Sequence, residues 1–192
     1  REIPSLELEE RHARGTYLVL RGKYAHALAL LDTDEEPLSI VGWARTRGTL
    51  ARAYNGLGQH AQAREICLDV LARLTPEDLQ YPVMNLNVSI ELALAEAGLA
   101  NFRAAEQQLD ALFALHAPNK GPLTLGALHE ARARVALFRG DHETCRLHID
   151  QMKSWYRPTS IASLLELTEN LERKLARAVQ PDEAQDKPRL RD

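Results

Sequence analysis

The chain has 192 residues with 24 basic and 27 acidic side chains, a net charge of −3 and no long run of one sign. A nucleic-acid backbone calls for a concentrated basic stripe, so direct nucleic-acid binding is not expected. A membrane span needs about 20 apolar residues, and the apolar stretch Val88–Leu99 is shorter and carries Glu91 and Glu96.

Leu and Ala supply 59 residues, Val and Ile only 13. The first pair loses little freedom in a helix and the second prefers strands, so an all-α chain is expected. Two cysteines, Cys67 and Cys145, make no disulfide framework and suit a reducing cytoplasm. No signal-peptide pattern is present at the start, and the opening on Arg1 suggests a piece of a longer protein.

Four stretches share a pattern: Gly22-Lys23-Tyr24 with Ala27, Gly58-Gln59-His60 with Ala63, Gly98 with Phe102 and Ala105, and Gly140-Asp141-His142 with Cys145. The glycines lie 36, 40 and 42 residues apart. A glycine that accepts the left-handed conformation ends one helix. The ring then fixes the turn, and the small residue lets the second helix approach the first.

These signals predict hairpins over about 6–31, 38–74, 83–115 and 123–155. Proline breaks or starts helices, and Pro37, Pro76, Pro82, Pro118, Pro122 and Pro158 fall between the hairpins. Thr75, Pro76 and Asp78 read as a helix start, and Asp141 as an N-cap. A last amphipathic helix over about 160–179 reads as a cap with a solvated outer face. Residues 1–179 thus form one domain, and 180–192 are too poor in apolar residues to fold, giving a disordered tail or linker.

The segment from Arg47 to Gly58, with Leu50, Ala51 and Tyr54 and followed by Ala63 and Pro76, is similar to the tetratricopeptide-repeat pattern. Gly15, Leu18, Gly22, Tyr24, Ala27 and Leu31 fit the same template, as do Ala133, Ala136, Gly140, Cys145 and Ile149. Arg47 stands where the family has tryptophan, and Glu91 where a small residue is expected. The spacing exceeds the family's usual length of about 34. Long repeats of this kind resemble those of large bacterial signalling proteins, including transcription activators with a nucleotide-switch ATPase and some protein kinases.

The resemblance implies a right-handed superhelical stack of about four hairpins plus a C-terminal capping helix. It also implies a concave groove lined by the first helix of each hairpin. By the template that groove includes Arg45, Arg52 and Asn55, then Asn85 and Ser89, then Glu130 and Arg134, with Val88, Leu92 and Phe138 as apolar contacts. The expected function is a protein-interaction module holding a partner peptide or helix, with the arginines meeting acidic groups. The alternative is a sensor arm of an ATPase, kinase or transcription regulator that takes a small effector or a neighbouring domain. Unpaired repeat ends also allow a homodimer.

No phosphate loop, zinc-protease or nucleophile-elbow motif occurs, so no catalytic residues are assigned and an enzyme is not expected. No cofactor is expected either. His142, Cys145 and His148 have helical spacing suited to a metal, but Cys145 occupies the repeat's small core position, His142 its turn-ring position, and no fourth ligand is evident, so no metal is assigned. Trp43, Trp155 and Tyr156 could anchor a ligand; packing between hairpins is the expectation.

Overall fold

A computed structural model describes residues 4–33, 39–75, 77–78, 82–119 and 121–179. The described residues are all-helical, with nine α-helices and no strand. In chain order they are α1 (Pro4–Leu20), α2 (Tyr24–Leu31), α3 (Ile40–Gly56), α4 (His60–Arg73), α5 (Pro82–Gly98), α6 (Phe102–His116), α7 (Pro122–Arg139), α8 (His142–Tyr156) and α9 (Ala162–Val179). The expected start at Leu38 and the tail 180–192 lie outside the described residues. Among those described, no helix is long and apolar enough to cross a membrane.

The helices pair as α1–α2, α3–α4, α5–α6 and α7–α8, and one turn geometry closes all four pairs. A residue in the left-handed region follows the first helix, and the amide after it reaches back five residues. The bonds are Lys23 to Leu18 (2.8 Å), Gln59 to Tyr54 (2.9 Å), Asn101 to Glu96 (2.8 Å) and Asp141 to Ala136 (2.9 Å). This is the Schellman ending, which satisfies carbonyls that the helix itself leaves unpaired.

The left-handed residues are Gly22, Gly58, Ala100 and Gly140. Gly98, read from sequence as the third turn glycine, is instead the last residue of α5. Ala100 adopts φ 64° in its place, a conformation that costs a residue with a Cβ about 1–2 kcal/mol. The side chain of Asn101 donates to Glu96 at 2.7 Å, which holds this turn from outside the backbone.

Moving the anchor to Ala100 removes the irregularity at Glu91. Two helical turns before each left-handed residue now stands a small, buried one: Gly15, Ala51, Ala93 and Ala133. In the second helices Ala27, Ala63, Ala105 and Cys145 are fully buried. Small residues on both sides of each hairpin let the paired helices approach closely.

Each core joins one hairpin to the helix that follows. Val19, Ala27 and Ala53 connect α1, α2 and α3. Trp43, Cys67, Val70, Val88 and Leu92 connect α3, α4 and α5. Leu94, Leu109 and Leu128 connect α5, α6 and α7, and Ile149, Met152 and Leu171 continue the pattern through α8 to α9. A hairpin that cannot bury its apolar face alone buries it on its neighbour. Trp43 and Tyr156 are buried in these cores, and Trp155 packs at the edge of one.

Side-chain caps sharpen several ends. Ser39 accepts from the Gly42 amide at 3.1 Å, and Asp141 from the Thr144 amide at 3.0 Å. Thr75 and Asp78 exchange bonds, Thr75 N to Asp78 at 2.9 Å and Asp78 N to Thr75 at 3.2 Å. That is the reciprocal pattern of a capping box; residues 79–81 beyond it lie outside the described residues.

Candidate functional site

The residue after each small buried one is Thr16 on α1, Arg52 on α3, Leu94 on α5 and Arg134 on α7. All four line a single pocket. Equivalent positions of successive first helices therefore face one space. Arg52, Glu130 and Arg134 also border a second cleft of about 490 Å³, completed by the end of α1, the first turn and α9. On its rim Arg21, in the turn after α1, donates to Glu166 of α9 at 3.1 Å.

A polar network runs across this inner face. Arg52 donates to Glu130 at 3.3 Å, and its Nε lies 3.9 Å from Glu91. Glu130 also pairs with Arg134 at 3.7 Å. Burial works against the charge of Arg52, but the carboxylates of Glu130 and Glu91 more than offset it and raise its pKa above the ordinary arginine range. Burial pushes the Tyr156 phenol up as well, with Glu130 acting in the same direction and Arg52 opposing. The Tyr156 ring fills the space beside Gly126, where a Cβ would collide with it.

Glu91 explains itself by its partners. Asn55 donates its amide to the Glu91 carbonyl oxygen at 2.8 Å and to its carboxylate at 3.0 Å. With that nitrogen committed, the Asn55 oxygen accepts from His60 Nδ1 at 3.0 Å. Buried polar groups demand partners, and the Glu91 side chain, 4 % exposed, has both an amide and a guanidinium.

The ten residues expected in the groove are not all brought together. Arg52, Glu130 and Arg134 come together at the cleft. Val88 and Leu92 are 1 % and 2 % exposed and pack in the core between α3 and α5. Asn55 and Asn85 are buried as well, and Ser89 is half-buried. Arg45 pairs with Glu9 of α1 at 2.9 Å, away from the cleft. Phe138 is exposed, with its ring edge-on to His60 at 5.4 Å between centroids.

Sequence reasoning missed the contribution of α9. Asn170, Arg173, Lys174 and Arg177 line the cleft opposite Arg52 and Arg134. Lys174 is exposed along part of its length, yet desolvation and the nearby Arg134 lower its pKa, with Glu130 pulling the other way. The basic residues of α9 were legible as a charged face, but nothing local indicates that the face returns to α1.

Cys145 is fully buried in the core between α7, α8 and α9. His148 faces His129, with Nδ1 atoms 3.0 Å apart. No group of three or more His, Cys, Asp or Glu able to hold a metal occurs among the described residues. In comparisons with known proteins, no family model, no curated protein and no solved structure matches the chain.

Proposed function

We propose that the chain is a tetratricopeptide-like, right-handed superhelical stack that acts as a protein-interaction module, holding a partner peptide or helix along the inner face of its first helices. The observation that carries this reading is the convergence of Thr16, Arg52, Leu94 and Arg134 on one pocket. In repeat arrays, binding faces recur at equivalent positions of successive units. The four matching turns and the cores shared between neighbouring hairpins support the same architecture.

The inner face favours an acidic partner with an apolar anchor. Arg45, paired with the exposed Glu9, and Arg134, paired with Glu130, can exchange these partners for the carboxylates of an acidic peptide, and Phe138 offers an exposed ring at the end of α7. Peptides selected from a random library on the intact chain would test this, with affinity measured by fluorescence anisotropy. Acidic sequences should dominate, and the combined variant Arg45→Glu/Phe138→Asp should weaken them at least about tenfold. Selected peptides with no acidic bias, or with unchanged affinity for the variant, would defeat the reading.

A further inference from the structure

We propose that the cleft between α1, α7 and α9 is a binding site for a small, multiply charged anion bearing carboxylate or phosphate groups. Among the described residues, six basic side chains but only two acidic ones line it, Glu130 and Glu166. The acids are already engaged. Glu166 holds Arg21, and Glu130 is shared between Arg52 and Arg134. Arg173 is bonded to the Asn170 side chain. Lys174 and Arg177 form no ion pair among the described residues, so the cleft holds a surplus of positive charge.

A cavity of about 490 Å³ matches the 300–1,000 Å³ typical of small-ligand sites. The Arg21–Glu166 pair bridges the first turn and α9 at its edge, which suits a compact ligand better than a chain running through. Arg134 can meet a planar or tetrahedral anion with two parallel N–H groups, while Lys174 supplies a point charge. The depressed pKa of Lys174, set by desolvation and Arg134, accords with a cation that an incoming anion would relieve. The cleft shares Arg52 and Arg134 with the face proposed to hold a peptide, but its test reads small-anion affinity at Lys174 and Arg177, so either proposal can fail without the other.

The test is isothermal titration of the intact chain with citrate and, separately, with tripolyphosphate, at about 0.15 M salt to screen exposed charge. Binding of citrate alone assigns carboxylate ligands, binding of tripolyphosphate alone assigns phosphate, and binding of both supports the anion class. Lys174→Gln should weaken binding about tenfold or more, as expected for loss of a charge-assisted contact. Because Lys174 is partly exposed and its charge is disfavoured, this variant should melt no lower than the parent without ligand. Arg177→Gln provides a second lesion outside the buried network, and Arg103→Gln on α6 serves as the remote control. Failure of both anions to bind overturns the proposal, as does affinity unchanged from the parent in both the Lys174→Gln and Arg177→Gln variants.

Discussion

The ring of His60, first residue of α4, occupies the space in which a side chain at Gly98 would stand. Tyr24 of α2 has the same relation to Gly56, where a Cβ would come within 2.5 Å of the ring. In both cases the ring that follows a turn packs on the last residue of the next hairpin's first helix. Gly98 is glycine for lack of room, whereas Ala100 carries the left-handed turn. Gly98→Ala should therefore destabilise the chain by about 1–3 kcal/mol through overpacking. Ala100→Gly should stabilise it by about 1 kcal/mol by removing left-handed strain. Urea denaturation of the two variants checks the opposite signs.

That pair of residues also shows where sequence reading stopped. Gly22, Gly58 and Gly140 were legible because glycine marks a left-handed helix end. The third turn was not, since an alanine holds the position and a glycine stands two residues earlier for another reason. The spacing from Phe102 to Ala105, identical to that from His60 to Ala63, carried the correct register. In α5 every side chain from Ile90 to Ala97 is buried, so a template that assigns one open face fails there. Glu91 and Glu96 stand out in the sequence as charges in an apolar stretch, but their partners Asn55 and Arg64 do not, because these lie on other helices.

The His129–His148 pair predicts a pH dependence. With Nδ1 atoms 3.0 Å apart, one ring must accept while the other donates, which two imidazolium ions cannot do. Desolvation, then His148 and Arg132, lowers the pKa of His129 from 6.5 to about 4, and His148 is lowered by burial and Arg132. The folded state thus binds fewer protons than the unfolded chain between these values. Stability is fully present above pH 6.5 and declines as pH falls towards 4, where His129 finally charges in the fold. Solvent reaches part of the pair and screens it, so the loss should be on the order of 1–2 kcal/mol. Carboxylates titrate in part of this window, so the measurement is the difference between the parent and His129→Gln. The variant should show the shallower decline in melting temperature.

Cys67 and Cys145 are both 0 % exposed, and burial raises the pKa of each thiol, most strongly for Cys67. Reaction requires an accessible thiolate. Neither cysteine should react with an aromatic disulfide reagent in the native state, and both should react in denaturant. Rapid labelling of the folded chain would show that α4 or α8 opens more readily than its packing implies.

Arg45 and Arg52 lie two turns apart on α3 in different electrostatic settings. The Arg45–Glu9 pair is 33 % and 62 % exposed, so Arg45→Gln should change stability by about 0–1 kcal/mol. Arg52 neutralises Glu91, whose side chain is 4 % exposed. Removing Arg52 alone leaves a buried carboxylate supported by little more than the Asn55 amide, and Arg52→Met should cost roughly 3–5 kcal/mol. If the cost comes from that stranded charge, Arg52→Met/Glu91→Met should recover much of it, because two apolar side chains of similar volume leave nothing uncompensated. Glu130 retains Arg134 in both variants, so the comparison isolates Glu91. A double variant as unstable as the sum of its two single variants would mean that Arg52 and Glu91 act independently, and that the network does not hold α3 to α5.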